Sequence, residues 1–408
     1  MKLIRAKSKA LEFLTRRKSE SRKREKIVRK IIEDVKSRGD RALSFYTRKF
    51  DRVKVPPHSF LVREREISAA FNEINSEVIY ALKAAIENVT SFYRKQIPRN
   101  IKIKTNEGKV LEERFIPLES VGVYVPAGKM PLVSSVYMSV VPAKVAGVKR
   151  IVLATPPTSQ GFVNSYILAV ASLLKVKEVY KIGGAQAIAA LAYGTESVRP
   201  VDKIVGAGNE YVTEAKRQVF GRVGIDMLAG PTEVVIVAGR KSNYEYIVKD
   251  LEAQIEHGKG AVGIVVSLSK SLTKKLRQLN INNGYVVPAK NIEGAAQVVN
   301  ALAPEHLEVM IGNVAKFMKM LRHSGTVFIG SYSPTALGDY TAGPSHILPT
   351  SSSARFFSGL SVYDFFKRVN VVKYSRRALL KEAGFLEKIA SLEGARRHAE
   401  SVKIRLKS

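Results

Sequence analysis

The sequence predicts an α/β protein made of two Rossmann-like parallel-sheet domains, with small helical extensions at its N- and C-terminal ends. Three observations predict this. From about Val121, short apolar runs of strand character alternate with helical segments, the signature of βαβ units and a mostly parallel sheet. The alternation starts again after Thr232, so a second half of the same kind follows the first. The chain has 408 residues and 45% apolar content, too long for one ordinary core and apolar enough to fill two.

In chain order, residues 1–22 read as a basic arm, helical or loose. Residues 23–50 place Ile27, Val28, Ile31, Ile32 and Val35 at helical spacing, then turn at Gly39-Asp40 into a second helix. Residues 65–97 are mostly helical. Residues 101–116 alternate around Asn106-Glu107-Gly108, which predicts a β-hairpin. Strands follow at 150–154, 179–182, 203–205 and 234–238, with helices at 164–174, 185–193 and 211–219. The second half reads helix 243–256, strand 262–267, helix 270–279, strand 284–287, helix 291–302 and strand 325–329. After Lys373 the chain is helical and charged. Four parts result: the arm at 1–22, a discontinuous first α/β domain at 23–117 and 234–372, a second α/β domain at 118–233, and a helical tail at 373–408.

Composition excludes several chemistries. With no cysteine, disulfides, thiolate metal sites and cysteine nucleophiles are ruled out, and any metal must be held by nitrogen or oxygen ligands. The longest uncharged stretch, 151–174, is broken by the polar run 155–161, so no membrane span or membrane partner is expected. The first residues lack the apolar core of a secretory signal, and a cytoplasmic location is expected. The net charge of +31 suggests an anionic partner on one reading and a basic solvated surface on the other. The densest cluster, Arg16, Arg17, Lys18, Arg22, Lys23, Arg24 and Lys26, has no interleaved aromatics and no nucleic-acid motif, so no specific nucleic acid is expected.

The string Gly258-Lys259-Gly260-Ala261-Val262-Gly263 matches G-x-G-x-x-G, but a helix precedes it and a strand follows. A dinucleotide fingerprint needs the opposite order, so that the helix N-terminus meets the pyrophosphate. It is rejected as a nucleotide motif.

The six histidines are His58, His257, His306, His323, His346 and His398. Gln254 and His257 share one face of a helix, which makes half of an oxygen/nitrogen metal site or merely a helix end capped by Gly258. Pro304 suits the first position of a helix, placing Glu305 and His306 in its first turn, where the helix dipole would keep the imidazole neutral and available as a base; a routine helix start is the plainer reading. Asp339 falls in a glycine-containing turn, as a hard oxygen ligand or a simple Asx-turn. His346 lies on irregular chain between Pro344 and Pro349.

The ordered runs GVYVPAG (122–128), GGAQAIAALAYGTESV (183–198), VDKIVGAGNEYVTEAKRQV (201–219), GIDMLAGPTE (224–233), LEAQIEHG (251–258), APEHLE (303–308), GDYTAGPSHILPT (338–350) and FFSGLSVYDF (356–365) together resemble the histidinol dehydrogenase family, from about residue 25 to the C-terminus. The resemblance implies oxidation of L-histidinol to L-histidine with two NAD+, the last step of histidine biosynthesis, in a homodimer with one zinc (Zn2+) per subunit and active sites shared across the interface. By motif, Gln254, His257, Asp339 and His398 match the metal ligands, the last coming from the neighbouring subunit. Glu305 and His306 match the acid/base pair. Thr232, His346 and Glu393 match substrate contacts, which the metal ligands and His306 join. Tyr124, Gln186 and Asn209 match NAD contacts, which makes 118–233 the cofactor domain. The resemblance also implies nucleotide binding without the glycine fingerprint. A related amino-alcohol dehydrogenase is the alternative within the fold. The sequence departs from the family pattern at Ala127, Ala207, Leu228, Thr232 (usually serine) and Thr335 (often glutamate), which bears on the cofactor loops and on substrate affinity.

Overall fold

A computed structural model describes residues 1–4, 22–127, 131–258 and 260–407. Most of the expected basic arm, including Arg16, Arg17 and Lys18, lies outside the described residues, as do Gly128 and Lys259. The elements run β1 (Lys2–Leu3), α1 (Arg22–Arg38), α2 (Asp40–Phe50), α3 (Glu64–Asn72), α4 (Ser76–Arg94), β2 (Ile101–Lys104), β3 (Val110–Pro117), β4 (Ser120–Tyr124) and α5 (Val133–Ala146). Next come β5 (Arg150–Thr155), α6 (Ser165–Leu173), β6 (Glu178–Lys181), α7 (Gly184–Tyr193), β7 (Lys203–Val205), α8 (Glu210–Val219), β8 (Gly224–Ile225) and β9 (Glu233–Ala238). The rest is α9 (Tyr244–Glu256), β10 (Val262–Ser267), α10 (Lys270–Arg277), β11 (Gly284–Pro288), α11 (Ile292–Leu302), β12 (His306–Met310), α12 (Val314–Met320), β13 (Thr326–Ile329), α13 (Thr335–Tyr340), β14 (Phe366–Lys373), α14 (Arg376–Leu392) and α15 (Arg396–Lys407).

The chain divides into two compact units, residues 1–96 with 118–365, and residues 97–117 with 366–408. The larger unit holds two parallel sheets, ordered β6-β5-β4-β7-β8 and β1-β11-β10-β9-β12-β13. Numbered within each half, both read 3-2-1-4-5, the order of dinucleotide-binding sheets, and the second adds β1 at its edge. The expected pair of α/β halves is therefore present. The first residues are an edge strand rather than part of a loose arm: Lys2 and Leu3 lie opposite Tyr285 and Val286, and Ile4 is buried in the core.

In the six-stranded sheet, alternate residues feed opposite cores. Val235, Val237, Leu307 and Val309 pack towards α11 and α12. Val234, Ile236 and Met310 pack towards α9 and α10. His306 and Glu308, in phase with Met310, share its face and so point towards α9.

The helices before β4 depart from the expected grouping of 23–117 with the second half. Val28, Ile31, Ile32 and Val35 of α1 join Val152, Ala154, Ile188 and Val212 in one core of the five-stranded sheet, while α3 packs on α6 and α4 on α5. An amphipathic stripe shows that a helix has a buried face but not which sheet covers it. The smaller unit contains the expected hairpin β2–β3, extended by β14 on the far side of β3, and α14 packed on α15. It exposes Ile101, Ile103, Phe385, Ile389 and Leu392. No helix among the described residues is long and apolar enough to cross a membrane.

If α1 is part of the five-stranded sheet's core, Ile31→Ala should destabilise the protein by about 2–5 kcal/mol, as other large-to-small core changes do. Urea unfolding measures this, and an unchanged midpoint would remove α1 from the core.

Candidate active site

Glu305 and His306 open a strand, which corrects the expected helix start after Pro304. Helix α11 ends on Ala303 in the left-handed region (φ 47°), Pro304 follows, and His306 takes its place between Val234 of β9 and Thr326 of β13. Gly325 N–H donates to Pro304 O at 2.8 Å and Thr326 N–H to Glu305 O at 2.9 Å. Proline is tolerated ahead of a strand because it withholds no ladder donor there, and the run His-Leu-Glu-Val-Met is buried throughout, as a central parallel strand requires. The helix dipole is therefore not what keeps His306 neutral.

Burial does so instead. Only 3% of His306 is exposed and neither ring nitrogen has a hydrogen-bond partner. Desolvation, with smaller contributions from the nearby imidazoles of His257 and His346, lowers its pKa to about 3. The ring lies between two carboxyls, with Nδ1 3.7 Å from Glu305 Oε2 and Nε2 4.0 Å from Asp339 Oδ1. Glu305 is also buried, and desolvation holds its carboxyl well above the ordinary carboxylate range, against the bonds it accepts from Thr232 and from Glu233 N–H at 2.9 Å. Two unsatisfied ring nitrogens beside a buried acid whose hold on its proton is strengthened form a site that can accept and pass protons once a hydroxyl or water enters.

Helix α9 brings Gln254 and His257 to the same place. The Gln254 Nε2 donates to Thr232 Oγ1 at 3.0 Å, which turns its Oε1 away from that hydroxyl. His257 caps the helix, with Gly258 beyond it at φ 114°, so the end-cap reading is correct as far as it goes. Its Nδ1 lies 3.2 Å from Gln254 O; since a carbonyl only accepts, Nδ1 carries the proton and Nε2 the lone pair, the tautomer a metal-binding imidazole needs. Asp339 stands in the last turn of α13 rather than in a loop turn. Burial raises its carboxyl pKa, and the imidazoles of His346 and His257 pull it back. His346 lies on irregular chain, as expected, with Nδ1 2.9 Å from Asp339 O and Nε2 3.2 Å from Ser135 Oγ.

Among the described residues no group of three or more His, Asp or Glu side chains is gathered as a ready metal site. The donors that do converge are a carboxamide, an imidazole and a carboxylate. Glu393 and His398 belong to the smaller unit, where both are exposed; Glu393 caps α14 and His398 lies in α15.

Tyr124, Gln186 and Asn209 gather at the carboxyl edge of the five-stranded sheet, around the switch point between β4 and β7. The Tyr124 hydroxyl accepts Gly184 N–H at 3.0 Å, at the N-terminus of α7. Gln186, in the first turn of α7, is 1% exposed and neither its Nε2 nor its Oε1 has a partner. Asn209 caps α8, its Oδ1 accepting from Tyr211 and Val212 N–H. Gly206 has φ 109°, and a Cβ there would stand 2.2 Å from Tyr124 O, so only glycine fits. The sheet edges meet where Ser135, at the start of α5, touches His346.

Sequence reasoning missed three buried ionisable groups, Lys216, Asp226 and Glu308. Lys216 Nζ bonds Asp226 and also donates to Gly206 O at 2.9 Å, while Asp226 Oδ2 accepts Gly206 N–H at 2.8 Å; the pair fixes both sides of the Gly206 peptide group. Glu308 accepts Thr335 N–H at 2.8 Å and the Thr335 hydroxyl, and burial, with Asp250 beside it, pushes its pKa up to about 7. The signals were available: Lys216 lies on the apolar stripe Val212, Ala215, Val219, and Glu308 interrupts a buried strand.

Comparison with known proteins agrees with this geometry. The family model for histidinol dehydrogenase matches residues 14–406. The chain is 42% identical to the histidinol dehydrogenase of Gluconobacter oxydans over 97% of this chain and 95% of that one, and 45% identical to that of Bacillus cereus over 93% and 91%. The crystal structure of histidinol dehydrogenase from Elizabethkingia anophelis superposes with a TM-score of 0.93 at 34% identity, covering 100% of this chain and 98% of that one.

The depressed pKa of His306 has a consequence for stability. With a folded pKa of about 3 against the ordinary 6.5, the unfolded chain binds a proton between those values that the folded chain refuses. Stability present above pH 6.5 is therefore lost as pH falls through this window. Between pH 7 and pH 5, wild type should lose on the order of 1–2 kcal/mol more than His306→Asn. Parallel unfolding titrations test this; equal losses would contradict the burial argument.

Proposed function

The chain belongs to the histidinol dehydrogenase family, and from that premise we propose that it oxidises L-histidinol to L-histidine with two NAD+, using zinc held at the amino edge of the six-stranded sheet. The observation that carries the reading is the convergence of Gln254, His257 and Asp339 on the Glu305–His306 pair.

The donors suit the metal. Gln254 Oε1, His257 Nε2 and the Asp339 carboxylate are nitrogen and oxygen ligands of the kind zinc accepts, and the hydrogen bonds made by Gln254 Nε2 to Thr232 and by His257 Nδ1 to Gln254 O leave Oε1 and Nε2 free to coordinate. The orphaned Gln186 carboxamide, the close approach at Gly206 and the N-terminus of α7 suit a dinucleotide. Bound zinc would supply a charged template for the substrate's imidazole and amine, and bound NAD+ would accept one hydride in each oxidation.

The protein's own groups handle protons and position. In the first oxidation, neutral His306 takes the proton of the primary hydroxyl. The low basicity that burial gives the ring is offset as negative charge develops on the oxygen beside it, and by Glu305 and Asp339 on either side. In the second, Glu305 in its ionised form takes a proton from water as it adds to the aldehyde, His306 returns the proton it holds to the carbonyl oxygen to complete the hydrate, and the neutral ring then takes the proton of the hydroxyl being oxidised. The first oxidation releases one proton overall and the second two, because the acid product leaves as its carboxylate. Thr232 orients Gln254, and His346 lines the substrate side, where Ser135 joins it to the cofactor half.

The larger unit offers three metal donors. We assign the fourth to His398, with Glu393 as a substrate contact, both delivered by a second copy of the chain in a homodimer. The exposed Phe385, Ile389 and Leu392 of α14, which lead to Glu393, support a face that is covered on assembly.

Purified protein given histidinol and excess NAD+ should form two NADH for each alcohol consumed. A ratio of one would reduce the reading to a simple alcohol dehydrogenase. Shared sites can be tested by mixing two inactive variants, His257→Ala and His398→Ala. Half the redistributed dimers would be mixed, each with one intact site of two, so activity and bound zinc should recover to about a quarter of wild type. No recovery after subunit exchange would place all ligands within one chain.

A further inference from the structure

We infer that Asp51 is the acceptor for the ribose hydroxyls of the dinucleotide, and so the residue that favours NAD+ over its 2′-phosphorylated form. The inference rests on the dinucleotide-dependent reading above and assigns a residue that none of the motifs contains.

In sheets of this strand order, the ribose acceptor is usually an acid at the carboxyl end of the second strand. Here that strand is β5. It ends in Ala154-Thr155 and runs into Pro156-Pro157-Thr158, with no acid. The Thr155 hydroxyl is fully buried and has no partner.

Asp51 stands in the position left without an acid. It caps α2, and α2 packs on α7. Further along the chain, Leu61 pairs antiparallel with Tyr180, and Lys181 N–H donates to Phe60 O at 2.8 Å. The chain before Phe60 therefore lies beyond the carboxyl end of β6, over the same sheet edge as Tyr124 and Gln186. Asp51 is close enough to Tyr124 for its charge to raise the phenol's pKa.

Its chemistry is that of an acceptor awaiting donors. Asp51 Oδ2 is buried with no hydrogen-bond partner, and among the described residues no Lys or Arg forms an ion pair with it. Burial pushes its carboxyl pKa up to about 6, the direction expected of an acceptor held away from water without a donor. A buried carboxylate oxygen without a donor is costly. Vicinal hydroxyls would supply two donors, whereas a 2′-phosphate would supply charge of the same sign. The hydroxyl of Thr47, one turn earlier in α2, and both ends of the Gln186 carboxamide are buried and unpartnered as well. The unsatisfied atoms of Asp51, Thr47 and Gln186 thus lie on two helices, α2 and α7, that pack on each other.

Calorimetric titration of the zinc-loaded enzyme with NAD+ and with NADP+ tests the assignment, on wild type, Asp51→Ala and the isosteric Asp51→Asn. Asp51→Ala should weaken NAD+ about tenfold or more, the loss expected for a charge-assisted hydrogen bond. Asp51→Asn should shift the NADP+/NAD+ affinity ratio towards NADP+ by about tenfold. The KM for histidinol should stay within about twofold in Asp51→Asn, which separates a cofactor effect from general loss of structure. An NAD+ affinity unchanged in Asp51→Ala, or a ratio unchanged in Asp51→Asn, overturns the assignment while leaving the dehydrogenase reading intact. Wild type that binds no NAD+ defeats that reading and this inference together.

Discussion

The register of one central strand governs the site. His306 stands opposite Val234 on one side and Thr326 on the other, which puts His306 and Glu308 on the face that meets α9 and sends Leu307 and Val309 into the opposite core. A slip of one residue would exchange the two sets. Leucine and valine would then face the polar groups of α9 and α13, and an imidazole and a carboxyl would enter an apolar core. Burying both without partners costs several kcal/mol, so the hydrophobic pattern that selects the fold also aims the His306 imidazole.

Behind the reacting layer lies a second layer built from the same three elements. Asp250 precedes Gln254 by one turn on α9, Thr335 precedes Asp339 by one turn on α13, and Glu308 follows His306 by one pleat on β12. In the rear layer Thr335 donates its N–H and hydroxyl to Glu308, and Asp250 faces the same carboxyl. A buried carboxyl and a half-buried one in contact are tolerated when they share a proton. The front layer therefore inherits its spacing from the rear one, since neither helix can move against the strand without breaking those bonds. Thr335 serves this role with a short side chain that uses its own backbone N–H.

The two α/β halves were legible because the switch from helical to strand periodicity is local and repeats. The convergence of Gln254, His257 and Asp339 was legible only through the ordered motifs, since spacing along a chain carries no information about distance across it. The reading of Glu305–His306 as a helix start failed for a physical reason. Proline before an acid favours a helix N-terminus and also suits the entry to a strand, and the buried Leu-Glu-Val-Met that follows is too short for periodicity to decide. The helices of residues 22–94 carried clear apolar stripes but no label for the sheet they cover. Lys216 and Glu308 were in principle visible as charges at apolar positions, and each proves to hold a loop or a helix in place.

The two sheets share a strand order but use opposite edges, and helix electrostatics explains why that is productive. In a parallel sheet, connecting helices begin at the carboxyl edge of the strands and end at the amino edge. Their N-termini carry partial positive charge and their C-termini partial negative charge. The carboxyl edge of the five-stranded sheet, with the N-terminus of α7 beside Tyr124, is suited to an anionic dinucleotide. The amino edge of the six-stranded sheet, with His257 at the C-terminus of α9, is suited to a cation. A single sheet cannot bring its two edges together, because they are a strand's length apart. Two sheets in series can, by setting the carboxyl edge of one against the amino edge of the other, and the contact between Ser135 and His346 is where this chain does so. On this argument the duplicated fold brings an edge suited to a positive ion within reach of an edge suited to an anion, the arrangement that the proposed hydride transfer from a metal-anchored alcohol would use.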